Sequence, residues 1–239
     1  MRPRRLLIPA LLCLTLCAPT PARAHPHAFV EAFVTLVFDG QGLAGIHQRW
    51  VLDEMLAASI LDLVNANGDG QLDASEAAAI ERDSFRLIKD YNYFTHVRID
   101  GKPFEVQWAR DFSVTMEGQK MVYDFLVPCH VKAGPKAREV VVAVFDDTFY
   151  TYVTYGTEGA PTIDPTMDPL FSDPSAPASP DDFQRFAKSV RLGAYDGPVH
   201  MSGPTDGLKL GTRVAEMPSM RYYFDQIVPE ALIVEFSRP

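Results

Sequence analysis

The clearest chemistry in this chain lies in twelve consecutive residues. Asn65-Ala66-Asn67-Gly68-Asp69-Gly70-Gln71-Leu72-Asp73-Ala74-Ser75-Glu76 places side-chain oxygens at loop positions 1, 3, 5, 9 and 12, glycine at 6 and an apolar residue at 8. That is the spacing of an EF-hand calcium loop. Ca²⁺ takes six to eight oxygens, so the loop must wrap around it. Gly70 permits the sharp turn, Leu72 would anchor the loop to the core, and Glu76 would bind with both oxygens. Asn65, Asn67, Asp69, Gln71, Asp73 and Glu76 are the candidate ligands. Asn65 stands where aspartate is usual, and only Asp69, Asp73 and Glu76 bring charge. The expected affinity is therefore weak, with a Kd of about 10⁻⁴ to 10⁻³ M. The bland alternative is an Asn/Gly-rich turn that binds nothing. A single hand without a partner hand is expected to be a structural staple rather than a sensor.

A second candidate lies at His25-Pro26-His27. Arg2, Arg4 and Arg5, an apolar stretch from Leu6 to Ala18, and Ala22-Arg23-Ala24 read as a cleavable secretory signal at 1–24. Cleavage after Ala24 would expose His25 as the new amino terminus. In an extended strand His25, His27 and Glu31 share one face. Two imidazoles, a carboxylate and a free amine suit Zn²⁺, Ni²⁺ or Cu²⁺. The amine and ring of His25 could also chelate copper as a histidine brace. The alternative is a frayed, solvated end. His47, His96, His130 and His200 are scattered, and the adjacent Cys129 and His130 would point to opposite faces of a strand.

The formal charge is −9, and removing 1–24 takes away four arginines and no acid, leaving about −13. That balance argues against nucleic acid and anionic membrane as partners. Two of the three cysteines leave with the leader, so the remaining Cys129 has no internal disulfide partner. No later segment approaches the roughly 20 apolar residues of a membrane-spanning helix, and no direct membrane insertion is expected after cleavage.

These residues need a scaffold. Ala28 to Phe38 and Ala44 to Leu52 flank the turn signal Asp39-Gly40-Gln41-Gly42 and read as a hairpin. A helix is expected from Asp53 to Val64 and another from about Ser75 to Tyr91, the two framing the loop as an inserted helix-loop-helix over 53–91. Strands are expected at Thr95–Ile99, Phe104–Trp108, Phe112–Thr115, Met121–Val127, Glu139–Phe145 and Tyr150–Tyr155, with further strand-like runs between Leu208 and Phe236. The proline density over 159–180 predicts an exposed loop, and Ser179-Pro180-Asp181-Asp182 the start of a short helix. The expected architecture is one α+β domain over 25–239, an antiparallel β-sandwich or meander with an EF-hand-like insertion.

Asp146 and Asp147 join two apolar strands and are possible extra ligands, or solvated acids in a turn. Asp53 is placed to cap the first helix. No hydrolase, P-loop or dinucleotide signature is present, so catalysis is the weaker expectation.

The order of these motifs, His25-Pro26-His27 with its strand, Trp50-Val51-Leu52-Asp53-Glu54, Asn67-Gly68-Asp69-Gly70 with Glu76, Tyr91-Asn92-Tyr93-Phe94-Thr95 and Asp146-Asp147-Thr148-Phe149-Tyr150, resembles the domain-of-unknown-function family 1007. The resemblance covers the chain to about Tyr155. It implies a bacterial periplasmic protein, a component of an uncharacterised ABC-type transport system, associated with nickel/cobalt-type exporters or permeases. The resulting expectation is a periplasmic accessory protein that binds a divalent transition metal through His25 and His27, beside a calcium-type loop. A histidine-brace copper enzyme and a non-catalytic adaptor docking on a permease are the alternatives.

Overall fold

The computed structural model describes residues 26–65, 68–156, 195 and 197–239. The expected leader, His25, Asn67, the proline-rich stretch and the short helix expected from Pro180 to about Val190 lie outside the described residues.

Period-two patterning builds the first hairpin. Along β1 (Ala28–Asp39) the even-numbered residues from Ala28 to Phe38 are buried, while Phe29, Glu31, Phe33 and Thr35 are only half-covered. A tight turn joins it to β2 (Gly42–Leu52), where Asp39 Oδ1 accepts from the amides of Gln41 at 2.7 Å and Gly42 at 3.0 Å. A Cβ on Gly42 would stand 2.2 Å from the Val131 carbonyl oxygen, so no side chain fits there.

Helix α1 (Glu54–Val64) follows at once, capped by Asp53, whose Oδ1 accepts from the Met55 and Leu56 amides at 2.8 and 2.9 Å. Helix α2 (Ala74–Asp83) leads into a 3-10 run over Phe85–Phe94. The remaining strands are β3 (Thr95–Ile99), β4 (Lys102–Phe104), β5 (Arg110–Glu117), β6 (Lys120–Lys132), β7 (Arg138–Val144), β8 (Thr151–Tyr155), β9 (His200–Ser202), β10 (Lys209–Glu216) and β11 (Glu230–Ser237).

One sheet runs β5-β6-β2-β1-β8 with β9 also against β1, and the other β10-β11-β7-β3-β4. The protein is α+β. The expectation of a purely antiparallel sheet is corrected, because β8 and β9 both pair with β1 in parallel. Parallel neighbours need long connections, and here they return from residues far along the chain.

Inward residues of both sheets form one apolar core. Phe38 of β1 meets Phe236 of β11 edge to face at 5.4 Å, and Trp50 stacks on Phe94 at 5.7 Å. A polar relay threads this core. Gln48 is wholly buried, accepts from Trp50 Nε1 at 2.6 Å and donates to Thr95 Oγ1, which donates to the Tyr93 carbonyl at 2.8 Å. On the other side of the second sheet Val141, Ala143, Phe145 and Ile233 pack against Phe149, Tyr222 and Ile227.

Two other expectations are corrected. The second helix does not continue to Tyr91: it ends at Asp83, and Ser84 leaves helical geometry at φ −122°. The strand expected at Phe104–Trp108 is Lys102–Phe104, because Asp100 and Gly101, at φ 51° and 78°, turn the chain straight back from β3.

Candidate functional site

The segment between α1 and α2 is organised by its own polar side chains. Asn65 Oδ1 accepts from the Gly70 amide at 3.4 Å, and Asp69 Oδ1 from the Gln71 amide at 2.8 Å. Gly68 and Gly70 take φ of 72° and 69°, a conformation that favours glycine. Leu72 packs against the main core, as its position in the loop predicts. Asp73 caps α2: its Oδ1 accepts from the Ser75 and Glu76 amides at 2.7 and 2.9 Å, while Glu76 Oε2 accepts from the Asp73 amide at 2.9 Å. This reciprocal capping box satisfies the helix start. It leaves one atom over. Glu76 is 3% exposed, and its Oε1 is buried with no hydrogen-bond partner.

The amino-terminal strand presents a second arrangement. Asp53 ties it to α1, since Oδ2 accepts from the Phe29 amide at 2.9 Å and the Asp53 amide donates to the Phe29 carbonyl at 3.1 Å. His27 is exposed. Its amide donates to the Tyr150 carbonyl at 2.8 Å, and its ring lies 5.1 Å from the Tyr150 ring. Glu31 is on the same face of β1, four residues on, a rise of about 13 Å. Burial raises the Glu31 carboxyl above its ordinary range, with Lys120 opposing.

Asp146 and Asp147 part company. Asp146 is buried, with Oδ1 accepting from the Thr148 amide at 2.9 Å and hydroxyl at 2.7 Å, and Oδ2 from the Thr151 amide at 2.9 Å. Asp147 is exposed and stands 4.0 Å from His96 Nε2. His96 stacks flat on Phe145 at 3.7 Å, and burial holds its pKa below the ordinary 6.5, with Asp147 opposing. Cys129 is buried and its thiol is pushed up to about 12 by burial, which disfavours the thiolate a metal or nucleophile role requires, whereas His130 is exposed. Among the described residues, no three His, Cys, Asp or Glu side chains gather where a metal ion could sit.

The structure adds a feature that the sequence patterns do not reveal. A cavity of about 470 Å³ opens between α1, the 3-10 run, the end of the β1–β2 hairpin and the Asp146–Thr151 turn. Trp50, Tyr91, Phe94, Tyr123 and Tyr150 supply aromatic surface, and α1 supplies Leu56 and Ile60. Burial pushes the Tyr123 phenol up to about 12, a weak contact with the Ser84 side chain offsets this in part, and no partner meets the hydroxyl at hydrogen-bond geometry. Beside the cavity the backbone is strained. Asn92, Tyr93 and Phe94 take φ of 55°, 51° and 49°, and Phe149 takes 57°. Bulky residues avoid this region, and such strain is held by surrounding packing. The motifs Trp50–Glu54, Tyr91–Thr95 and Asp146–Tyr150, distant in sequence, thus meet around one hollow.

Fold and site together define an α+β protein of two packed sheets with a helical flank enclosing an aromatic cavity. The chain belongs to a family described as a protein of unknown function, DUF1007, whose profile matches residues 10–189. It is 25% identical over 171 residues to an uncharacterised 15.5 kDa protein in the trpE 3′ region of Spirochaeta aurantia, covering 72% of this chain and 94% of that relative. An uncharacterised protein of Haemophilus influenzae is 23% identical over 141 residues, covering 57% of this chain and 66% of its own.

Proposed function

We propose that the protein is a non-catalytic binding component of the periplasm, an accessory of a transport system, whose α1–α2 segment is an EF-hand-like Ca²⁺ site. The buried, unpartnered Oε1 of Glu76 carries this reading. A carboxylate oxygen removed from water with nothing to neutralise it is costly, and position 12 is where an EF-hand aims a bidentate glutamate at its ion. The Asn65–Gly70 hydrogen bond and the left-handed Gly70 bend the loop inward. EF-hand coordination also uses amide and backbone oxygens, and position 9 often acts through water, which suits an Asp73 already engaged in capping.

The test is thermal and chemical unfolding with Ca²⁺ or with a chelator. At a Kd of 10⁻⁴ to 10⁻³ M, a concentration of about 10 mM Ca²⁺ is expected to stabilise by about 1.4 to 2.7 kcal/mol. Glu76→Gln should abolish that response. A melting temperature unmoved by 10 mM Ca²⁺ would sink the reading.

A second reading concerns transition metals. His27, just before β1, is exposed, and a processed His25 with its free amine would form with it a Zn²⁺, Ni²⁺ or Cu²⁺ site for capture and delivery to a permease or metal exporter, whereas Glu31, about 13 Å further along the strand, lies out of reach. Cleavage at 1–24 and loss of tight metal binding in the His25→Ala/His27→Ala double variant are the expected results. Retained binding in that variant would exclude this reading without touching the calcium site.

A further inference from the structure

The cavity lies apart from the calcium-type loop, although Ala28 and Val30 of β1 line it and His27 lies against Tyr150 at its rim. Its volume, about 470 Å³, is that of a pocket for a small organic ligand. The chemistry of its wall narrows the occupant. Asp146 lines the cavity and is 3% exposed, yet the three donors that reach its carboxylate are all neutral: the Thr148 amide, the Thr148 hydroxyl and the Thr151 amide. A carboxylate offers about four acceptor positions, so Oδ2, with a single donor, keeps one open. Among the described residues no lysine or arginine pairs with Asp146, and the nearby His96, which feels its charge, is held towards the neutral form by burial. A buried negative charge calls for a positive partner. The aromatic faces of Trp50, Tyr91 and Tyr150 attract cations through their ring quadrupoles, and the acidic chain as a whole, at a formal −9, favours their approach.

We propose that this cavity binds a small organic cation, an amine or quaternary ammonium carried on an apolar body. The ammonium end sits by Asp146 Oδ2 and Tyr150, and the body lies along Leu56, Ile60 and the aromatic wall. The Tyr123 hydroxyl supplies one more polar contact. A neutral alkyl ligand would leave the open position on Asp146 Oδ2 unfilled, and a fatty acid would set a second carboxylate beside it.

Isothermal titration of the purified protein, with Ca²⁺ present, tests the proposal using three probes of equal chain length below their micellar concentrations: decyltrimethylammonium, decanol and decanoate. Decyltrimethylammonium is expected to bind at one site about tenfold or more tighter than decanol, with decanoate weakest. Ile60→Trp, which fills the cavity, should remove all binding. Asp146→Asn should bring the cation down to the affinity of decanol. Because that change could also loosen the turn, Tyr150→Ala on the exposed rim is the second variant, and it should weaken the cation several-fold while leaving decanol unchanged. Equal affinity for cation and alcohol, a preference for decanoate, or no binding by any probe would overturn the assignment. Each of these results is separable from a failed calcium titration, which reads a different loop.

Discussion

The core between the two sheets and the hollow beside the helices are built from similar side chains but use their polar atoms differently. In the core, Gln48 accepts from Trp50 and donates to Thr95, and Thr95 donates to the Tyr93 carbonyl. Every link is closed. Around the hollow and the adjoining loop, Glu76 Oε1 has no partner and the Tyr123 hydroxyl meets only Ser84 at poor geometry, and Met55, Leu63, Leu87 and Tyr91 stand exposed. A closed network specifies a fold, whereas open valences and bare apolar surface are what binding consumes.

The contrast is sharpest under substitution. Gln48→Leu strips Trp50 Nε1 of its acceptor and Thr95 of its donor in a sealed core, and should destabilise by roughly 2 to 4 kcal/mol in urea unfolding. A loss below about 1 kcal/mol would break the comparison. Asp53→Ala removes a helix cap and the tie to Phe29, with an expected cost of about 1 to 2 kcal/mol by the same measurement. Without Ca²⁺, Glu76→Gln should change stability by less than about 0.5 kcal/mol, because an amide oxygen keeps the capping bond to the Asp73 amide. A large loss in the chelated protein would place Glu76 with the closed core instead.

The smallest effect belongs to His96. Its folded pKa lies below the ordinary 6.5, so well above pH 6.5 the ring is neutral in both states and pH has no leverage through it. As pH falls below 6.5 the unfolded chain takes up the proton first, and stability declines until the folded pKa is passed. His96→Phe, which keeps a ring on Phe145, should flatten that slope in unfolding curves between pH 6.5 and 5. An unchanged slope would assign it to other groups.

Much of the scaffold was legible. The β1–β2 hairpin follows from strict alternation and the Asp39–Gly42 turn, α1 from Asp53 and its apolar stripe, and β3 from Thr95 to Ile99 without adjustment. The failures have physical causes. Over Ser75 to Tyr91 the apolar spacing satisfies an α-helix and a 3-10 run about equally across so few turns, and the break comes at the one polar residue in the stripe, Ser84. The left-handed run at Asn92, Tyr93 and Phe94 has no local signal beyond Asn92. It is imposed by tertiary contacts, Trp50 on Phe94 and Phe85 on Tyr93, the latter 5.1 Å apart. The candidate ligands of the α1–α2 loop could be read from spacing, but the stranded oxygen of Glu76 could not. Nor could the hollow, which exists only where three distant motifs meet.

Strand β1 occupies the interior of its sheet, flanked by β2 from the same hairpin and, on its other edge, by β8 and β9 from residues 151–155 and 200–202. Among the described strands, β1 thus precedes in the sequence two of the neighbours that enclose it. Until the chain has been made past Ser202, that edge of β1 lacks part of its neighbours, and closing it demands contacts across more than half the sequence, a slow topology to search. Sealing that edge of β1 is therefore a long-range event, unlike the β1–β2 hairpin, whose partners lie side by side in the sequence.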